Sequence, residues 1–322
     1  MSIQVDTTNW IKGKHYPEWM NEISLSMISK GYLLPDEDVF GAFKRVSRAA
    51  SRRLKRKDLY PFFLEAISKN WLCLASPVLS NLGTERGMPI SCFGIDTDDS
   101  IEGIALANSE LMRLSSQGGG VGIGVSRIRG RGKQIKDNGV SEGVVPWIKI
   151  YDSTILATNQ GSVRRGAASV NLHINHPDIE EFVRAKQKPE VLTKFNISVV
   201  ADDKLMKAVE EDDFYDLHFD GVIYKRVKAR DLYNLIMEAT YNKAEPGVLF
   251  YDNMQKNNPI SYLGEINSTN PCFAAGTMVL TKDGNFPIEE LVGKEVEISG
   301  SSEQPKAHKL MLGDHSKVVI NK

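Results

Sequence analysis

Residues 167–211 read AASVNLHINHPDIEEFVRAKQKPEVLTKFNISVVADDKLMKAVEE. Two short apolar runs, AASVNLHI and FNISVVA, are each followed by a segment with helical spacing of apolar residues, DIEEFVRAKQ and DKLMKAVEE. Short apolar runs of this kind read as strands, and strands that alternate with helices build at least a partly parallel sheet. The stretch therefore predicts an α/β fold.

The same rhythm runs outward on both sides. Before it, from Trp71, come CLASPVL, the helical IEGIALANSELMRL, the glycine-rich GGGVGIGVSRI and a helix around VVPWIKIYDSTIL. After it come DLHFDG, the helical ARDLYNLIMEATYN and VLFYD, which reads as a buried strand. Upstream of Trp71 the pattern is helical, over Glu18–Lys30, Asp36–Leu54 and Asp58–Ser68. The basic run SRAASRRLKRKD (Ser47–Asp58) is read as a solvated helix face, with a partner- or phosphate-contacting surface as the alternative. From Cys272, CFAAGTMVLTKDGNFPIEELVGKEVEI alternates as a β segment around a Lys-Asp-Gly turn, and the remainder is polar. The expected organisation is a helical region over 1–70, an α/β region over 71–271, and a β-rich tail over 272–322 too short to bury a good core alone.

The 322 residues hold 40 Lys+Arg against 41 Asp+Glu. Such a balance offers no surplus for neutralising a phosphate backbone, so no nucleic-acid partner is expected. The three cysteines, Cys73, Cys92 and Cys272, are too few and odd in number for a secreted disulfide scaffold. No signal-like start and no run of about 18 apolar residues is present, so no membrane is expected and the default location is cytoplasmic.

Several local patterns carry chemistry. Gly118–Gly124 (GGGVGIG) permits close backbone approach to a ligand but lacks the dinucleotide-binding GxGxxG context. Arg127, Arg129 and Arg131 follow, and loop arginines suit phosphate. Asp99-Ser100-Ile101-Glu102 reads as a capping box opening a helix. His173 and His176 are spaced i, i+3 but have no third ligand nearby, so a metal site is not expected. Asp178 and Glu180 read as helix N-terminal charges. Cys73 reads as a buried structural thiol.

SPVLSNLGTERGMPISCFGIDTDDSIEGI, GGGVGIGVSRIRGRGKQI, NQGSVRRGAASVNLHINHPDIEEF, VLFYDNM and STNPC follow one another between Trp71 and Cys272. In that order they resemble the catalytic segments of ribonucleotide reductase large (alpha) subunits. The resemblance implies a ten-stranded α/β barrel of two five-stranded halves, of which this chain holds the helical N-terminal region, without an ATP cone, and the first half. It implies that Cys92 is one thiol of a redox pair whose partner lies beyond residue 272. Ser76, Ser91, Gly120 and Asn270 would meet the substrate nucleotide. Asp99, Ser100 and Arg129 would meet an effector nucleotide, and Ser162, Arg164 and Arg165 would belong to a second specificity loop between effector and substrate bases. No cofactor would be bound directly by this chain. Deoxynucleoside triphosphates or ATP would be effectors. The radical would come from a metal-containing small subunit in a class I enzyme, or from adenosylcobalamin in class II. The implied partners are a complementary C-terminal large-subunit chain, the small subunit, thioredoxin or glutaredoxin, and a second copy docked through the effector-site helices.

At Cys272 the family pattern Asn-x-Cys-x-Glu is only half kept, because position 274 is Ala. The stretch from Cys272 onward resembles the opening of an intein: an initial Cys, a Gly-Thr-x-Val strand, a Lys-Asp-Gly turn and Pro-Ile-Glu-Glu-Leu. Cys272 is then either the radical-cysteine position or a splicing nucleophile that attacks the Pro271 carbonyl in an N-to-S acyl shift. His308 and His315 do not match the later Thr-x-x-His block, so the tail reads as an incomplete or decayed splicing half: a trans-splicing half or relic of a split gene is expected, with a sequence cut short as the alternative. The expected function is the N-terminal part of a ribonucleoside-diphosphate reductase. A splicing precursor, a class II fragment and a non-catalytic nucleotide-binding module remain as alternatives.

Overall fold

The computed structural model describes residues 16–270, apart from 138, 159–167, 188–190 and 193–194, together with the backbone of four short strands beyond residue 270. Two compact units emerge. One comprises 1–93, 111–121 and 157–167, the other 94–110, 122–156 and 168–322.

The first unit is built on helices α1 (Glu22–Ser29), α2 (Val39–Arg53), α3 (Tyr60–Ser68) and α4 (Ser76–Asn81). Each of the first two starts three or four residues later than the periodicity predicts, because a side-chain cap sets the start. The Asn21 side chain accepts from Ser24 N–H, and Asp38 accepts from Gly41 N–H. Val39, Phe43 and Val46 on one face of α2 join Met20, Ile28, Leu64 and Ile67 in a common core. The basic residues of the 47–58 run lie exposed, as a solvated face requires. CLASPVL, an apolar run on paper, turns into α4 with Pro77 in its first turn, where a missing N–H leaves nothing unsatisfied.

The α/β region runs β1 (Cys92–Asp96), α5 (Ile101–Ser116), β2 (Gly120–Gly124), α6 (Val144–Thr158), β3 (Ala168–His173), α7 (Ile179–Ala185), β4 (Phe195–Ala201), α8 (Asp203–Glu210), β5 (Phe214–Phe219), β6 (Val222–Lys228), α9 (Ala229–Lys243), β7 (Gly247–Phe250) and α10 (Tyr251–Lys256). Five strands form one sheet in the order β1-β2-β3-β4-β7. The β3–β4 and β4–β7 pairs are parallel, from Ala168↔Phe195 to His173↔Val200 and from Ser198↔Gly247 to Ala201↔Phe250. The chain is thus a helical region followed by a parallel α/β sheet, as expected. Val121, Ile123, Val170, Leu172, Ile197 and Val199 are buried at its centre.

Two expectations need correction. VLFYD is not a buried strand: β7 ends at Phe250, none of its residues is buried, and Tyr251 and Asp252 open α10. A strand at the end of the sheet order has a neighbour on one side only. The other is β6, unrecognised because Lys225, Arg226 and Lys228 break the apolar alternation. It pairs antiparallel with β5 as a separate two-stranded ribbon.

Beyond residue 270, β8 (Met278–Thr281), β9 (Gly284–Pro287), β10 (Glu295–Ile298) and β11 (Ser316–Val319) form an antiparallel sheet in the order β11-β10-β8-β9. Thr281 stands opposite Gly284, the pairing expected across a tight turn. The tail is β-rich, as its alternation predicts.

Candidate active and effector sites

Side chains alternate across a strand, so residues two apart share a face. On one face of the sheet Gly94 and Asp96 of β1, Gly122 and Gly124 of β2, and Ser169 and Asn171 of β3 are small or polar. The chain at 267–270 lies across them. Ser169 Oγ and Asn171 Nδ2 both donate to the Thr269 carbonyl, at 3.1 and 3.2 Å. Asn267 Nδ2 donates to Asp96 Oδ2 at 3.0 Å. A methyl group on Gly122 would sit 2.1 Å from the Thr269 carbonyl oxygen, and one on Gly124 would sit 2.8 Å from that of Asn267. The glycine run therefore serves close approach, but what approaches is the chain's own backbone. Asn270, expected at the substrate, ends this segment with its Nδ2 buried and without a hydrogen-bond partner among the described residues. Cys272 lies outside the described residues.

In the other unit, the structure brings Ser91, Cys92 and Gly120 together. Gly120 N–H donates to the Ser91 carbonyl at 2.6 Å. Ser91 Oγ lies 3.5 Å from Cys92 Sγ. The Cys92 thiol is half-buried, whereas Cys73, expected to be buried, is exposed; its neighbours Trp71 and Leu72 in the turn after α3 are exposed as well. Ser76, at the start of α4, accepts from the Tyr32 hydroxyl at 3.1 Å.

Asp99, Ser100 and Arg129 also converge. The helix is capped by Ser100, whose Oγ accepts from Gly103 N–H at 2.9 Å. The capping box placed the cap one residue early, because Asp99 has a stronger partner. Its carboxylate accepts from Arg129 N–H at 3.0 Å and from Arg129 Nε at 2.8 and 2.9 Å. Nη1 and Nη2 hold only long contacts, both 3.4 Å, to the carbonyls of Gln134 and Asp99. That outer edge is the geometry a phosphate takes from arginine. Arg127 pairs with Asp96 at 3.1 Å, and Arg131 with Glu142 and Glu181 at 2.5 and 2.9 Å. Ser162, Arg164 and Arg165 lie outside the described residues.

Both ring nitrogens of His176 are engaged within the chain. The residue is buried, its Nε2 donates to the Ile128 carbonyl at 2.8 Å, and its Nδ1 accepts from Asp178 N–H at 3.1 Å. Burial pushes its pKa down, as it does for His173. Among the described residues no group of three or more His, Cys, Asp or Glu is placed to hold a metal. Asp178 stands at the N-cap of α7 but makes no side-chain capping bond there; its two oxygens accept from Arg131 N–H at 2.8 Å and Val144 N–H at 3.0 Å.

One feature had no sequence signal. A cavity of about 700 Å³ opens beyond the C-terminal ends of the strands, lined among others by Asp96, His173, Asp202, Tyr215, Tyr251 and Asp252. The Tyr215 hydroxyl donates to Asp202 at 2.7 Å. Burial, reinforced by Asp202, raises the Tyr215 pKa, and burial with Glu265 pushes Tyr251 up to about 12. These lining residues come from five separate segments, which is why no local motif announces them.

Comparison with known proteins agrees with this architecture. The family model "Ribonucleotide reductase, all-alpha domain" matches residues 19–87, and "Ribonucleotide reductase, barrel domain" matches residues 90–275, more than half of the chain. The chain is 40% identical over 203 residues to a vitamin B12-dependent ribonucleoside-diphosphate reductase of Thermoplasma acidophilum, covering 61% of this chain and 26% of that protein. It is 31% identical over 308 residues to a ribonucleoside-diphosphate reductase large subunit of Invertebrate iridescent virus 6, covering 88% and 30%. A Synechocystis ribonucleoside-diphosphate reductase subunit alpha is 31% identical over 291 residues, covering 76% and 37%. The chain thus spans roughly a quarter to two fifths of the length of these relatives. Among solved structures, the class Id ribonucleotide reductase alpha subunit of Actinobacillus ureae shares the fold, with a TM-score of 0.68 at 24% identity over 84% of this chain and 48% of that one.

Proposed function

The chain belongs to the ribonucleotide reductase family, and from that premise we propose that it is the N-terminal part of a ribonucleoside-diphosphate reductase large subunit, active when a complementary C-terminal chain supplies the rest. The observation that carries this reading is the path of residues 267–270 over the glycine face of β2, which lays the stretch leading to Cys272 onto the sheet. In the proposed reaction the ribose 2′ hydroxyl leaves as water and a C–H bond replaces the C–O bond. Cys92 and a second thiol supplied from beyond residue 272 give up two electrons and two protons as their S–S bond forms, and thioredoxin or glutaredoxin reduces it again. Ser76, Ser91, Gly120 and Asn270 would orient the nucleotide. Asp99, Ser100 and Arg129, with Ser162, Arg164 and Arg165, would read a deoxynucleoside triphosphate or ATP effector.

A metal-containing small subunit would supply the radical in the class I reading. The 40% identity to a B12-dependent protein favours adenosylcobalamin instead. Supplementing the complemented enzyme with each source in turn separates the two, since only one restores turnover.

A second reading concerns the tail. Ala274 departs from the family pattern, and β8–β11 pair with one another rather than with the five-stranded sheet. Both support an intein-like segment with Cys272 as its nucleophile. Mixing the chain with the complementary chain tests both readings. A ligated product is expected if the tail splices, and reductase activity without ligation is expected if the chains assemble non-covalently. If no deoxynucleoside triphosphate binds even in the mixture, the reductase reading fails at its effector site.

A further inference from the structure

Arg129 sits between two main-chain groups that are held from the same short segment. On one side the Ile128 carbonyl accepts from His176 Nε2 at 2.8 Å. On the other the Arg131 N–H is bound by Asp178 Oδ1 at 2.8 Å. The two holders are tied to each other, because Asp178 N–H donates to His176 Nδ1 at 3.1 Å. That bond leaves Nε2 as the protonated nitrogen, the tautomer the Ile128 carbonyl needs.

Asp178 does a second job. Its Oδ2 accepts from Val144 N–H at 3.0 Å, the first residue of α6. The excursion between Arg131 and Val144 is thereby closed at both ends by one carboxylate. A carboxylate at a helix N-terminus also meets the positive end of the helix dipole. Gly143 makes the approach feasible: its φ is +83°, and a Cβ there would lie 2.5 Å from Asp178 Oδ2. Asp178 is buried, with only 6% of its surface exposed, so solvent cannot replace these acceptors.

We propose that His176 and Asp178 are the positioning residues of the effector site: they fix the backbone on both sides of Arg129, while Asp99 holds the Arg129 N–H itself and aims the guanidinium. This rests on the reading of Arg129 as the effector's phosphate ligand. An effector that meets a backbone already fixed loses less freedom on binding.

The test uses Asp178→Asn in the full chain. One amide oxygen can serve one N–H, while the amide nitrogen faces the other donor, so one buried N–H loses its acceptor. Amide hydrogen exchange should quicken at Arg131 and Val144 and stay unchanged in β4 and α9. Deoxynucleoside triphosphate affinity should fall roughly tenfold or more, and the preference for triphosphate over the bare nucleoside should shrink with it. General loosening would weaken both ligands alike. Gly143→Ala presses on the same carboxylate from the other side and should reproduce both effects should Asp178→Asn fail to fold. A folded variant with wild-type exchange at Arg131 and Val144 overturns the clamp. Quickened exchange with unchanged triphosphate affinity overturns its link to the effector. If the unmodified chain binds no triphosphate even with the complementary chain present, the effector reading falls on its own account, and the exchange data still decide the clamp.

Discussion

Asp99 binds Arg129 twice over, taking the main-chain N–H at 3.0 Å and the side-chain Nε at 2.8–2.9 Å across thirty positions of sequence. The pair is partly exposed, so its own ionic attraction adds little to stability. What it supplies is direction, since a guanidinium held by Nε presents its remaining edge along one line.

Replacing Arg129 by Lys should therefore weaken deoxynucleoside triphosphate binding by roughly tenfold or more, in line with about 1.5–3 kcal/mol for a hydrogen bond to a charged group. Charge is kept but the two-pronged edge is lost. Isothermal titration checks this, and an unchanged affinity would remove Arg129 from the site.

Gly122→Ala should destabilise the chain by about 1–3 kcal/mol, the usual cost of forcing atoms into a filled space. Its new methyl must displace the Thr269 carbonyl, only 2.1 Å away. Denaturant unfolding measures the loss, and hydrogen exchange should show it spreading to residues 267–270. Wild-type stability would mean that the segment is not laid over β2.

The buried histidines set a pH dependence. Burial lowers the pKa of His176 and of His173 in the folded chain, whereas the unfolded chain takes up protons near pH 6.5. The unfolded state thus binds more protons below that pH, and stability falls as pH drops through 6.5, by up to about 1.4 kcal/mol per pH unit for each histidine. Unfolding free energies at pH 7.5 and 5.5 should show the fall, and His176→Asn should reduce its slope. A slope that His176→Asn leaves intact would assign the effect elsewhere.

Cys92→Ser should abolish multiple turnover in the complemented enzyme while leaving effector affinity unchanged. Cys73→Ser, on an exposed thiol outside the reacting group, should leave both intact. Turnover assays with a dithiol reductant decide it; sustained activity of Cys92→Ser would end its role as a redox thiol.

Much of this was legible in the sequence, for a physical reason. The α/β alternation shows because β2, β3 and β4 are almost wholly buried, so short runs dominated by apolar and small residues recur between the helical segments. Edge elements are harder: β6 carries exposed Lys225 and Arg226 and went unread, and β7 was read as a strand but is only half-buried, so neither follows the core pattern. Cys92, Ser91 and Gly120 came from motif order, and the structure adds the hydrogen bond that joins them. Asp178 was read as a helix N-terminal charge, and it does stand at the start of α7, but its bonds to Arg131 and Val144 went unseen because they are main-chain groups 47 and 34 residues away. No spacing rule reports a side chain's bond to a distant amide. The cavity around Asp202 and Tyr215 was silent for the same reason.

The Thr269 carbonyl, gripped by Ser169 and Asn171 over a strand that offers only hydrogen atoms, has a consequence for tolerance to change. Recognition at this crossing falls on a peptide group, which every amino acid possesses. Residue 269 should accept many side chains without loss of register, while position 122 accepts none but glycine. A randomised library selected for folding should thus be diverse at 269 and monotonous at 122, the inverse of what the size and polarity of threonine and glycine would suggest.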